Sequence, residues 1–242
     1  MKAFLLALQF LTRIPIPIAI NPSAQRLGRS VIYYPLIGVV IGVILLAFAY
    51  TLGASHSSLA AAIILTVWVG LTGGLHLDGV ADCVDGWIGG QGNLDRSLQI
   101  MKDPNAGPMA VIAIVLLLLL KFSALSVLIE SNSLAILLAA PIIARASIPF
   151  LMLSTPYLRI NGLAEQMLQQ LPRQLAIASI VLSLLLCTLM AGWLFSLGIM
   201  LCALALRFIF LRLFSGTTGD MYGASVEVIE LSALLLAVCL LP

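Results

Sequence analysis

Apolar residues in this chain collect into long runs separated by short polar junctions. Runs over roughly Tyr33–Gly53, Ser58–Leu75, Pro108–Ile129, Leu134–Leu153, Leu175–Phe195, Ser196–Phe214 and Ala224–Leu241 each approach the ~20 residues a helix needs to cross a ~30 Å hydrocarbon core. The pattern predicts an all-α, polytopic transmembrane helical bundle of about seven spans. It leaves no room for a separate soluble unit, so residues 1–242 are expected to form a single integral membrane domain. The first residues follow a different pattern. At about 100° per residue, Lys2, Gln9 and Arg13 share one helical face, and Phe4, Leu8 and Leu11 lie opposite. That predicts an amphipathic helix in the membrane interface, ended by Pro15 and Pro17. No A-x-A cleavage site follows, which argues against a signal peptide. No long-period internal repeat is visible.

Composition sharpens this picture. The chain is 62% hydrophobic and 9% charged, against ~25% charged in an average soluble domain, and its mean hydropathy is +1.15. A soluble globule and a disordered chain are both excluded. A net charge of +2 also argues against nucleic acid as a partner. Cys83, Cys187, Cys202 and Cys239 form no CxxC and read as packing residues, with no disulfide or zinc site expected. The basic residues set the orientation. Lys2, Arg13, Arg26, Arg29, Arg96, Lys102, Arg159, Arg173 and Arg212 fall on one side of a seven-span topology, which the positive-inside rule makes cytoplasmic. The longer connections, 76–107, 154–174 and 215–223, lie on that side of the expected cell inner membrane.

The most informative segment runs Gly73-Gly74-Leu75-His76-Leu77-Asp78-Gly79-Val80-Ala81-Asp82-Cys83-Val84-Asp85-Gly86, expected as a direct continuation of the second span. On a helix, Asp82 sits about 40° from Asp78, and Asp85 about 20° to the other side. Three carboxylates on one narrow face repel, and each costs about 2.5–3.5 kcal/mol at bilayer depth. A divalent cation removes both problems, and oxygen-only ligands suit Mg²⁺ or Mn²⁺. His76 falls opposite that face, as a hydrogen-bonded interfacial residue or a substrate contact.

Three further groups carry candidate chemistry. Leu94, Leu98 and Met101 fit a short helix stopped by Pro104, which brings Lys102 and Asp103 into the acidic connection. Asp103 reads as a fourth metal ligand, a base or half of a surface ion pair, and Lys102 as a phosphate contact. Ser215-Gly216-Thr217-Thr218-Gly219-Asp220 offers backbone N–H groups to an anion ahead of a helix, although a plain cap also explains Thr218 or Asp220. Glu227 shares a face with Asp220, and Glu230 lies one turn on. Acids at the entrance of an apolar span are functional candidates. Lys121, deep in a span, needs a carboxylate or a wet cavity, whereas Arg145 and Arg207 are expected to snorkel. Arg159, Arg173 and Arg212 read as topology determinants before substrate contacts. Acidic and basic clusters on one membrane side suggest metal-assisted phosphoryl chemistry. The competing class is an ion-coupled transporter with an intramembrane acidic site.

The run Gly74-Leu75-His76-Leu77-Asp78-Gly79-Val80-Ala81-Asp82 with Asp85-Gly86 resembles the signature of the cobalamin synthase family, the adenosylcobinamide-GDP ribazoletransferases. Phe10-Leu11-Thr12-Arg13-Ile14-Pro15, Tyr34-Pro35-Leu36-Ile37-Gly38, Ile100-Met101-Lys102-Asp103 and Thr218-Gly219-Asp220-Met221-Tyr222-Gly223-Ala224 fall in the family's order. The resemblance spans nearly the whole chain. It implies an inner-membrane, Mg²⁺-dependent enzyme that joins adenosylcobinamide-GDP to α-ribazole, or to its 5′-phosphate, and releases GMP. Carried onto this chain it makes Asp78, Asp82 and Asp85 metal ligands at the diphosphate, with Asp82 also catalytic. Asp103, Asp220 and Glu227 become candidates for second-metal or base roles, and Lys102, His76, Thr217, Thr218 and Gly219 for catalytic or substrate contacts. One departure is Pro104-Asn105-Ala106-Gly107, where many members carry Ser and a basic residue before the Gly. Arg96 is the expected compensating phosphate contact. The corrinoid is too large for the short loops of one subunit, which implies an open groove or a site in a homo-oligomer.

Overall fold

A computed structural model of the chain describes residues 2–16, 23–54, 56–159 and 162–241; Pro17 and Ser55 lie outside them. The polypeptide begins with α1 (Lys2–Leu11), α2 (Ala24–Ser30), a single 3₁₀ turn and α3 (Tyr34–Leu52). Then come α4 (Ser57–Thr72), α5 (Leu75–Gly90), α6 (Leu94–Ile100) and α7 (Pro108–Glu130). The remainder is α8 (Ile136–Ser154), α9 (Leu163–Gln169), α10 (Arg173–Ala191), α11 (Trp193–Phe214) and α12 (Gly219–Cys239). Among the described residues the extended contact is one isolated bridge, Tyr157 to Thr217. The polytopic helical bundle expected from the apolar runs is therefore present, with six single helices long and apolar enough to cross a membrane.

The second expected span differs. The sequence pattern runs it straight into the acidic segment, but α4 ends at Thr72 and α5 leaves at 86°. Gly73 and Gly74 both hold positive φ, +63° and +71°, a conformation that costs glycine little and other residues more. Arg13 N–H, just past α1, donates to Leu71 O at 2.7 Å and satisfies one of the carbonyls orphaned where α4 stops. At 16 residues α4 is roughly 24 Å long, short for a span, yet it must cross. The α3 N-terminus lies at one end of the bundle, where Tyr34 Oη donates to Met167 Sδ of α9. At the opposite end Ser58 of α4 meets Ser126 of α7. The α4 C-terminus is back at the first end, beside Arg13. α4 and α5 are thus a crossing helix followed by one that lies across the bundle end, outside the crossing segments.

α8 is the centre of the bundle. It packs on α3, α10 and α12, and its residues from Ile136 to Ile148 are buried except Leu138. Gly42 of α3 sits where a Cβ would fall 2.7 Å from Leu138 Cα, so the α3 and α8 backbones nearly touch. α1 is amphipathic as expected, but its buried line is Leu6, Ala7 and Leu11, docked on α2 and α3, because a protein surface competes with lipid for the apolar face. Lys2 and Arg13 remain exposed.

Candidate functional site

The site forms where four chain segments meet at one end of the bundle. α5 lies against the first turns of α12, because Gly79 has no side chain to hold them apart: a Cβ there would collide with Asp220 O and lie 3.1 Å from Ala224 N. This close approach places Asp220 opposite the α5 acids. α5 then turns through a loop capped by Asn93, whose Oδ1 accepts from Arg96 N at 3.0 Å, into α6. The connection after α8 runs beside the α12 entrance. Leu158 N donates to Thr217 O and Thr217 N to Pro156 O, each at 2.9 Å. That pairing delivers Arg159 to the acids.

Arg159 Nη2 lies 2.6 Å from Asp220 Oδ2 and donates to Met101 O at 3.2 Å, while its Nε is buried without a partner. Arg159 is expected from the sequence as a topology determinant before a substrate contact. Only the Tyr157–Thr217 pairing reveals that it belongs to the site. Asp78 is exposed and Asp82 half-buried. Burial, followed by the nearby carboxylates of Asp220 and Asp78, pushes the Asp82 carboxyl up to about 7, with Arg159 opposing. This is an acid face short of positive charge, as the aspartate spacing implies.

The structure gives Asp85 a different task from the expected one. Its Oδ2 accepts from Gly107 N at 2.5 Å and its Oδ1 from Ala110 N at 3.1 Å. It caps the N-terminus of α7, where orphaned N–H groups and the helix dipole favour a carboxylate. Among the described residues no three His, Cys, Asp or Glu side chains converge as a ready-made metal cage. The donor set of Asp78, Asp82 and Asp220 nevertheless fits a hard cation. All are carboxylates, Asp78 and Asp220 border one cavity, and burial followed by the charges of Asp220 and Asp78 raises the Asp82 carboxyl beside them, a cost that a cation would relieve.

Glu227 lies outside this face. It is buried in α12 and bonds to Lys121 Nζ of α7 at 2.6 Å. Lys121 Nζ also reaches Glu230 at 2.5 Å, and Glu230 further binds Arg145 Nη1 of α8 and Trp68 Nε1 of α4 at 3.2 Å. Glu227 is thus corrected from a metal ligand to one member of a sealed ion-pair network tying four spans together. Lys121 has found the carboxylate it needed. Arg145 does not snorkel: it is 0% exposed, because Glu230 neutralises it more cheaply than a path to water. The two intramembrane glutamates that suggested an ion-coupled transporter are already neutralised by Lys121 and Arg145.

Other expected contacts are redistributed. Thr217 and Thr218 are buried: Thr217 Oγ1 joins Thr155 Oγ1 at 2.9 Å and Tyr222 Oη at 3.2 Å, and Thr218 caps α12 by accepting from Met221 N. Thr218 Oγ1 also lies 3.5 Å from Asp220 Oδ2, so it steadies an acid of the face while both hydroxyls are engaged within the protein. Gly219 is exposed and lines the cavity beside the acids. His76 also lines it but is 2% exposed, with neither ring nitrogen hydrogen-bonded, contrary to the hydrogen-bonded histidine expected. Burial pushes its pKa down to about 3, so it is neutral. Lys102 and Asp103 are exposed in the α6–α7 loop. Asp103 Oδ1 accepts from Asn105 N at 3.0 Å and Nδ2 at 2.8 Å, which holds its carboxyl below the usual range. This fold of the loop keeps Asp103 off the acid face. Arg96 is exposed on α6.

The cavity itself is about 270 Å³ and has Asp78, Asp220 and Arg159 on one wall. Its remaining walls come largely from apolar and aromatic residues of α1, α3, α8 and α9.

Comparison with known proteins shows the family of the chain. The family profile described as cobalamin-5-phosphate synthase matches residues 3–238. A protein of Pseudomonas savastanoi pv. phaseolicola named adenosylcobinamide-GDP ribazoletransferase is 46% identical over 238 residues, covering 97% of this chain and 98% of that protein. Like-named proteins are 46% identical in Pseudomonas syringae pv. syringae, with the same coverage, and 46% identical in Pseudomonas aeruginosa, over 97% of this chain and 96% of that protein. No solved structure matches.

Proposed function

The chain belongs to the cobalamin-5-phosphate synthase family, and on that premise we propose that it joins adenosylcobinamide-GDP to α-ribazole, or its 5′-phosphate, and releases GMP with Mg²⁺ bound at the acid face. As a member of this family it is a transferase acting in cobalamin biosynthesis. The observation that carries the reading is the meeting of Asp78 of α5 with Asp220 and Arg159 around one cavity, with Asp82 on the same α5 face close enough to feel the charges of all three.

Asp78, Asp82 and Asp220 would hold the cation. When bound, it supplies charge neutralisation for the diphosphate and for the departing phosphate of GMP. Arg159 presents a planar fork beside these acids, with Asp220 fixing its orientation. Its unpartnered Nε makes it the group best placed to take a phosphate oxygen. A ribazole hydroxyl attacks the phosphorus on the cobinamide side. The bond to GMP breaks, and the hydroxyl proton passes to a carboxylate of the face, with Asp78 directly on the cavity wall. Asp85 acts at one remove: by capping α7 it fixes α5 against that helix. A cavity of about 270 Å³ lies below the ~300–1,000 Å³ of drug-sized sites and cannot enclose a corrinoid, which must lie across the open face.

The bias of Lys and Arg toward this bundle end supports a cytoplasmic site on a protein of the inner membrane. The test is direct. Purified protein in detergent, given adenosylcobinamide-GDP, α-ribazole and Mg²⁺, should release GMP without any ion gradient, and EDTA should stop it. Metal-replete, folded protein that yields no GMP would sink the reading.

A further inference from the structure

The apolar part of the cavity is built from two pairs of near-parallel rings. Phe10 of α1 stacks on Tyr34 of α3 with centroids 6.2 Å apart and planes 20° apart. Tyr157, after α8, stacks on Tyr222 of α12 at 6.2 Å and 22°. Ile148 and Met152 of α8 and Met167 of α9 complete the apolar walls. Aromatic faces and thioether side chains are the partners a flat ring system selects. The same cavity carries Asp78, Asp220 and Arg159 at its polar side, so a ring seated among the tyrosines keeps an attached sugar beside the acids.

We infer that this cavity is the subsite for the base of the nucleophilic nucleoside, an alkylated benzimidazole, with its ribose hydroxyl turned toward Asp78 and Asp220. The assignment rests on the proposed function, because it presumes that ribazole is the attacking substrate. Three features favour that base over the guanine of the other substrate. Guanine carries several donors and acceptors around its edge, and each needs a partner when buried. The walls supply few: Tyr34 Oη is engaged with Met167 Sδ and Tyr222 Oη with Thr217 Oγ1, and the unpartnered ring of His76 offers one donor and one acceptor, fewer than the guanine edge requires. An alkylated benzimidazole has no exocyclic donor, and its methyl groups gain from burial. The volume of about 270 Å³ also holds one bicyclic base with part of a sugar, near the lower end of the ~300–1,000 Å³ range for small-molecule pockets.

The test fills the cavity from its outer wall. Ala164 lies on the short surface helix α9 and lines the cavity, so Ala164→Trp narrows it without disturbing a span. Phe10→Ala, on the interfacial α1, removes one ring as a second variant. Equilibrium binding of α-ribazole to the purified full chain, without the second substrate, is measured beside steady-state KM for each substrate. Ala164→Trp should weaken α-ribazole binding and raise its KM about tenfold or more, the size of a lost good contact, with the KM for adenosylcobinamide-GDP unmoved. Phe10→Ala should shift the same parameter less. A shift confined to adenosylcobinamide-GDP, or to neither substrate, in a variant that melts like wild type overturns the assignment. If wild type binds α-ribazole and Ala164→Trp does not, but no GMP is released, the proposed reaction fails while the subsite stands.

Discussion

Replacing Lys121 by methionine isolates the largest electrostatic commitment in the fold. Lys121 Nζ contacts Glu227 and Glu230 at 2.6 and 2.5 Å and lies 4.9 Å from the Trp68 ring centroid. With Arg145 bound to Glu230, the cluster holds two cations and two anions and is neutral. Methionine fills most of the lysine stem but strands Glu227, whose cation was Lys121, inside four packed spans. Removing one partner of a buried pair costs about 3–5 kcal/mol. At roughly 2–4 °C per kcal/mol for a chain of this length, the thermal midpoint should drop by roughly 6–20 °C. The assay is a thermal melt of the detergent-purified protein followed by circular dichroism. The double variant Lys121→Met/Glu227→Gln restores neutrality and should recover at least half of the loss. A single variant that melts like wild type refutes the reasoning, as does a double variant no more stable than the single. Glu227→Gln alone should leave the Mg²⁺ concentration for half-maximal GMP release unchanged, since this carboxylate faces Lys121 and is no metal ligand.

Four further outcomes are expected. Asp82→Asn should lower turnover by orders of magnitude while the protein still inserts, whereas Asp95→Asn, on the exposed first turn of α6, should be mild; near-normal turnover of Asp82→Asn in saturating Mg²⁺ would count against the acid face. Because the Asp82 carboxyl is pushed up to about 7, protons compete with the cation there, so activity should fall as pH drops through 7 and the midpoint should move lower when Mg²⁺ is raised. For the metal-free protein the sign is opposite: an acid raised in the fold stabilises it at low pH and loses that contribution as pH rises toward 7, so its melt should weaken from about pH 4 to 7, level off above that, and be restored by Mg²⁺. Single cysteines at Gln91 and Asn132, in a background without reactive native cysteines, should label from opposite sides of the membrane, and labelling of both from outside would exclude seven crossings.

How much was legible in the sequence varies with the range of the interaction. The spans α3, α7, α8, α10, α11 and α12 fall within a few residues of the apolar runs, since burial in hydrocarbon requires a helix of that length whatever surrounds it. The acid face of α5 was equally legible, because helical periodicity alone places Asp78 and Asp82 together. The 86° turn at Gly73-Gly74 was not, because paired glycines permit a bend without dictating its angle. Arg13 and the packing of Gly79 against α12 settle it.

The side-chain partners mark the same division. Asp85, Glu227, Thr217 and Thr218 carry the right chemistry for a metal or phosphate site, and the sequence pointed each to one, with a plain cap as the alternative for Thr218. Only the assembled bundle shows their electrostatic and hydrogen-bonding capacity already taken: by the α7 N-terminus for Asp85, by Lys121 for Glu227, by Thr155 and Tyr222 for Thr217, and by the first turn of α12 for Thr218. Arg159 is the reverse case, a cation expected first as a topology determinant and carried to Asp220 by a bridge between residues 157 and 217. The sequence by itself determined the membrane environment, the six long crossing helices and the carboxylate face, all of which follow from local hydrophobicity and the 3.6-residue repeat. The tertiary structure decided which charges neutralise one another and which are left to meet a substrate, because that depends on contacts between residues far apart in the chain.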